Sequence, residues 1–346
     1  MDALIFSHLI IPFLISMFLA ITMGGSGTGP SFSAAYGSNV LKKNAIPGLF
    51  GLMVFLGAII AGKATARTVG EGLINPDLMN YAQVSIILFS VAISLLIANL
   101  FGVPQSTSQS TVLAVVAPGL YFNEFSSHKL FFEVIPTWFI LPIVSFILCF
   151  LIGKYIYKPI RRRGYTISAR LNEHYMLKGA IIGMSMYVAF SIGANNVANA
   201  SGPLTTMTLN ELGIHNSSGR ILTLIMIMAT MVVAPSFGIG SSIFGDKILR
   251  NTGKELFLFG KVEAVIIAFI SASLLLGASL FKGIPTSLVQ LNVGAILGIG
   301  VAKLGTKNIF KKTEVRKFFI VWLIAPMIAF FLSWYLTYLA DTYGYL

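Results

Sequence analysis

The chain has 346 residues, of which 56% are hydrophobic and 10% charged, a composition far from that of a soluble domain. A formal net charge of +12 would suggest a nucleic-acid partner in a polar chain. Here the basic residues fall in short loops between apolar runs, which excludes nucleic acid and makes a lipid bilayer the expected partner. The lone Cys149 rules out a disulfide framework, and His8, His128, His174 and His215 are scattered, with no partner at metal-ligand spacing, so neither a metal nor a cofactor is expected.

In chain order the apolar runs are 3–36, 45–62, 81–101, 103–120 and 131–153, then 179–210, 221–243, 257–281, 284–302 and 318–340. Most approach the roughly 20 residues a helix needs to cross a bilayer. Met1–Ala20 has no basic leader and its apolar run continues past signal-peptide length, so no cleavable signal is expected. Between the fifth and sixth runs lies a basic linker, Lys154–Lys178, with Lys158, Arg161, Arg162, Arg163 and Arg170. The expected organisation is an N-terminal transmembrane repeat over 1–153, a linker over 154–178 and a C-terminal transmembrane repeat over 179–346.

The halves share landmarks in one order. Gly24-Gly25-Ser26-Gly27 matches Gly193-Ala194-Asn195-Asn196, and Gly62, Arg67, Gly70 and Leu73 match Gly245, Arg250, Gly253 and Leu256. Gly102-Val103-Pro104-Gln105-Ser106 matches Gly283-Ile284-Pro285-Thr286-Ser287, and Trp138 with Pro142 matches Trp322 with Pro326. A duplicated unit with an odd number of runs inserts its copies in opposite orientations. The loop charges agree. With the linker in the cytoplasm, Lys42/Lys43, Asp246–Lys261 and Lys303–Lys317 also lie inside, leaving Lys63, Arg67, Lys129, Arg220 and Lys282 outside. The expectation is therefore an all-α polytopic membrane protein of two inverted-topology repeats, about five helical segments each, with both termini outside a prokaryotic inner membrane. Runs 3–36 and 179–210 exceed one straight span, and each is expected to break or unwind near the midplane at its polar motif. Some runs are expected as re-entrant hairpins.

Three features carry chemistry. Ser191–Leu204 reads SIGANNVANASGPL, placing Asn195, Asn196 and Asn199 within one and a half helical turns among small residues. It is either glue between helices or a site for a small polar solute. Its counterpart Gly24–Ser33, with Ser26, Thr28 and Ser31, is either a flexible turn or the other half of that site. The turns Gly102–Thr111 and Gly283–Asn292 each set a proline before a hydroxyl- and amide-rich segment that opens an apolar helix. Ser106, Thr107, Ser108, Thr286, Ser287 and Gln290 then sit at or beside helix N-termini, where free N–H groups and the helix dipole favour an anion. Each turn alone is compatible with an ordinary capped loop; their repetition in inverted topology favours one shared oxyanion site. Glu263 is the one carboxylate placed to lie within the membrane, as a coupling group or as half of an interfacial pair with Lys261. A sodium ion would need amide oxygens such as those of Asn195 and Asn199. No Walker loop, zinc-hydrolase motif or nucleophile elbow is present, so the chain is not expected to be an enzyme. Transport would use an ion gradient or be passive, as in an anion channel.

These residues resemble a known family. GANNVANASGPL is similar to the GANDVANA signature of the inorganic phosphate transporters (the PiT family), and GVPQST and GIPTS resemble that family's second repeated element. The phosphate branch carries an aspartate in both copies. Here the corresponding positions are Asn196 and Gly27, which resembles the bacterial sulfate permease (CysP-type) branch, as does Ala35-Tyr36-Gly37-Ser38 followed by Lys42-Lys43. The resemblance implies a symporter of sulfate or a related tetrahedral oxyanion, coupled to protons where phosphate carriers use sodium, and a homodimer. It implies Asn195, Asn196 and Asn199 on signature positions and Ser106, Thr107, Thr286 and Ser287 on the turns that hold the anion.

Overall fold

The computed structural model describes residues 2–101, 105–157, 174–214, 219–256, 260–305 and 313–346. Most of the basic linker, with Lys158, Arg161, Arg162, Arg163 and Arg170, lies outside the described residues, as do Gly102–Pro104, Lys307, Lys311 and Lys312. The described chain is all helical apart from one isolated bridge between Ile74 and Phe125. A helix satisfies its own N–H and C=O groups, which hydrocarbon cannot do for it.

The helices are α1 (Asp2–Gly37), α2 (Ile46–Ala61), α3 (Lys63–Arg67), α4 (Tyr81–Phe101), α5 (Thr107–Tyr121) and α6 (Ile135–Ile152) in the first half. In the second half they are α7 (Tyr175–Asn196), α8 (Ala198–Glu211), α9 (Gly219–Val233), α10 (Pro235–Leu256), α11 (Gly260–Gly277), α12 (Leu288–Leu304) and α13 (Thr313–Thr342). Among the described residues, eight stretches are long and apolar enough to cross a membrane. Their outward surface carries Ile60, Phe132, Phe139, Phe281 and Leu323, the side chains a lipid solvent accepts.

Among the described residues the ten apolar runs thus become eight stretches long enough to span and two shorter helices. α5 and α12, with 15 and 17 residues, are about 22–26 Å long against a hydrocarbon core of about 30 Å. Side-chain contacts place both in hairpins. Gln83 and Ser94 on α4 reach Thr337 and the Ala325 carbonyl on α13, so these two helices are antiparallel. Ser333 and Asp341 on α13 meet the Ala114 carbonyl and Tyr121, so α5 runs parallel to α13. α4 therefore enters, and α5 leaves, at the C-terminal end of α13. In the second half, Trp138 and Ser145 of α6 donate to the carbonyls of Pro285 and Leu291. Lys303, near the end of α12, pairs with Glu263 at the start of α11. α11 and α12 thus form a second hairpin, laid along α6.

Packing exchanges partners between the halves: α1 packs on α10 and α7 on α2, while α5 lies on α13 and α12 on α6. Glycines make the first two contacts close. A Cβ on Gly24 or Gly240 would stand 2.2 or 1.9 Å from the carbonyl oxygens of Phe237 and Ile21, and one on Gly193 or Gly57 would stand 2.0 or 1.9 Å from those of Val54 and Phe190.

Of the two expected breaks, the one in the first run is not found, and the one in the second is a single-residue interruption inside the asparagine motif with no unwound turn. α1 is helical from Asp2 to Gly37, and the path from α7 to α8 is interrupted only at Val197, whose dihedrals stay helical (φ −60°, ψ −33°). The glycines that suggested unwinding serve helix contact instead. The hydroxyls of Thr28 and Ser31 bond the carbonyls of Gly24 and Gly27 one turn back, 2.7 and 2.9 Å away, so they are satisfied within α1 without an unwound turn. Pro30 and Pro203 lie inside α1 and α8 and have no N–H for the carbonyls of Ser26 and Asn199.

Candidate functional site

The two short helices bring their first turns together. Ser106 and Ser287 both have extended backbone and act as N-caps, each accepting the N–H of the residue three positions on, Gln109 or Gln290, at 3.3 Å. Sequence fixes this locally, because a serine after proline and one polar residue stops the extended segment and holds one of the N–H groups that a helix start leaves open. The N–H groups of Thr107 and Ser108 have no intrahelical acceptor.

Gln109 and Gln290 hold each other by both amide atoms, at 3.2 and 2.9 Å. They are related by the same offset as Gly102 and Gly283. Two equivalent residues in mutual contact mark the point where the two turns meet.

Asn195 ties the junction together. Its Oδ1 accepts from the Ser108 hydroxyl and the Thr286 N–H, both at 3.1 Å, and its Nδ2 donates to the Ser279 hydroxyl at 2.8 Å and the Ile284 carbonyl at 3.1 Å. One carboxamide thus joins α7, α5, the turn after α11 and the turn before α12. Asn199 donates to the Ser108 hydroxyl at 3.2 Å. The Oδ1 atoms of Asn196 and Asn199 are buried without a partner. Ser106, Ser108, Asn195, Asn199, Thr286 and Ser287 are all buried.

The structure therefore gathers Asn195, Asn199, Ser108, Thr286 and Gln290, with Ser106 and Ser287 as caps and Thr107 in the first turn of α5. It keeps three expected residues apart. Ser26 donates to Asn99 Oδ1 at 2.7 Å, while Asn99 donates to the Thr22 carbonyl at 2.7 Å. Thr28 bonds its own helix and sets its methyl toward Gly245 of α10. Glu263 is buried against Lys303 rather than Lys261, about 22 Å along α12 from the site. It is also the one charged residue among the buried ones described.

Sequence reading passed over Asn99, Ser279 and Gln109. Asn99 and Ser279 were legible as polar residues in the last turns of apolar spans just before each Gly-Pro turn, and Gln109 as the repeat partner of Gln290. Ser26–Asn99 and Asn195–Ser279 are the same kind of pair with the residue types exchanged.

A junction of neutral donors with two helix N-termini suits an anion, since the dipoles and N–H groups supply positive potential without a fixed cation. Among the described residues no His, Cys, Asp and Glu group is arranged to hold a metal ion.

Comparison with known proteins agrees. Residues 23–333 match the profile of the Phosphate transporter family. The chain is 30% identical over 336 residues to the sulfate permease CysP of Bacillus subtilis (strain 168), covering 96% of this chain and 88% of that one. Its fold is similar to a solved structure titled "The sodium-dependent phosphate transporter", with a TM-score of 0.82 at 20% identity over 97% of this chain and 99% of that one.

Proposed function

The chain belongs to the phosphate transporter family, and on that premise we propose that it imports sulfate, or a related tetrahedral oxyanion, by proton symport. Family membership makes it a membrane transporter of anions and not an enzyme. The observation that carries the finer reading is the meeting of two serine-capped helix N-termini around neutral donors, with Asn196 where an acid would favour a cation. Likeness to a sulfate permease supports the choice of anion.

In this reading the anion sits against the first turns of α5 and α12, and the two units rock about it to give alternating access. The exchanged packing and the reciprocal glutamines support taking the halves as inverted repeats, and the loop charges are the argument for placing both termini outside. A second reading, sodium-coupled phosphate uptake, is favoured by the unpartnered Oδ1 atoms of Asn196 and Asn199, which are cation ligands in kind.

Uptake of labelled sulfate and phosphate into proteoliposomes, under an imposed proton gradient and then a sodium gradient, separates the two. Sulfate uptake driven by the proton gradient in sodium-free buffer is expected; a strict sodium requirement would replace the first reading with the second. Ser106→Ala with Ser287→Ala is expected to reduce uptake at least tenfold while the protein still inserts, and normal uptake would remove the turns from the site.

A further inference from the structure

The two turns are alike in cap and register but differ in how their polar groups are met. In the second half Asn195 closes the turn, taking the Thr286 N–H and serving the Ile284 carbonyl. The corresponding residue in the first half is Ser26, which is shorter and bonds Asn99 instead. Beside the Ser106 cap, at the position matching Thr286, stands Gln105. It is 1% exposed, and neither its Oε1 nor its Nε2 has a hydrogen-bond partner.

A carboxamide carries two N–H donors and one acceptor. Burying all three unmet is costly, and native proteins seldom do it without a ligand, ion or water to complete them. Leucine fills a similar volume without that cost. Gln105 directly precedes the Ser106 cap, and Thr107 and Ser108 follow it with N–H groups that have no acceptor within α5, so three sources of donors belong to the first-half turn. The second-half turn is largely closed by Asn195.

We propose that Gln105 is a ligand of the transported oxyanion, its Nε2 adding to the N–H groups of Thr107 and Ser108 around one side of the anion. The inference rests on the anion site read above and makes that site unequal, with the first-half turn supplying most of the donors. A carboxamide binds a dianion without a fixed charge, which leaves it free to be released.

The test uses Gln105→Leu in the full chain, reconstituted and in detergent, with sulfate and phosphate as probes. If Gln105 is a ligand, the ligand-free variant melts at or above the wild-type temperature, because a buried unmet amide has gone. The stabilisation by sulfate is lost and KM for uptake rises at least tenfold. A KM within threefold of wild type together with undiminished stabilisation overturns the proposal. Should the leucine variant fail to insert, Gln105→Glu, which keeps the shape and removes the donors, is judged by the same two readouts. A wild type stabilised by phosphate and not by sulfate displaces the sulfate reading, and Gln105 is then judged on phosphate. A wild type stabilised by neither overturns both.

Discussion

Asn195 shows how much one neutral side chain does where water is absent. Its four hydrogen bonds serve two backbone groups and two hydroxyls. Asn195→Leu leaves the Thr286 N–H and the Ile284 carbonyl buried and unmet, and each orphaned group costs about 1–3 kcal/mol. The variant is expected to unfold several degrees below wild type in detergent and to lose ligand stabilisation. The Gln109–Gln290 pair gives a different pattern. Replacing either residue by leucine strands the other amide, whereas replacing both removes the need, so the double variant should cost less than the sum of the singles in a thermal-unfolding cycle. At this scale the asparagine cluster and the serine caps were legible from residue type and spacing. The fate of Ser26 and Thr28 was not, because a hydroxyl in an apolar helix bonds its own carbonyl one turn back or a neighbouring helix with equal ease. Only the surroundings, Asn99 for Ser26 and the close face of α10 for Thr28, decide between them.

Among the elements, glycines at the crossings fix how near the long helices lie. Gly193→Leu would drive a side chain into the Val54 carbonyl, and Gly57→Val would do the same at Phe190. Overpacking of this kind costs about 1–3 kcal/mol, and since α7 carries Asn195 its displacement also moves the junction. Both variants are expected to lower thermal stability and transport together, whereas Gly179→Leu, with open space around its Cβ position, should leave both unchanged. Helix content and most segment positions were readable from the apolar runs. Helix ends and depth were less so: 103–120 and 284–302 count as spans by length, yet each includes an extended turn that shortens the helix and draws its start into the interior. In 3–36 and 179–210 the same glycines that permit unwinding also permit close packing, and composition alone does not distinguish the two.

Across the whole molecule the loop charges give an orientation that labelling can check. In a background lacking Cys149, Lys63→Cys is expected to react with a membrane-impermeant thiol reagent from outside the cell and Lys154→Cys only after the membrane is opened; the reverse pattern would invert the topology. The landmarks suggested two halves in sequence, but the pairing of α1 with α10 and of α5 with α13 left no local trace there. That pairing governs how the protein is made. α5 lies along α13, which reaches to residue 342, so the first hairpin leaves the ribosome without the helix that flanks it, and its polar turn meets Asn195 and Gln290 only once the second half has followed. The second hairpin finds α6 already in place. The two hairpins thus meet their flanking helices at opposite ends of synthesis, and the early one is expected to be the more sensitive to truncation of α13, which protease protection of nascent chains of increasing length would show.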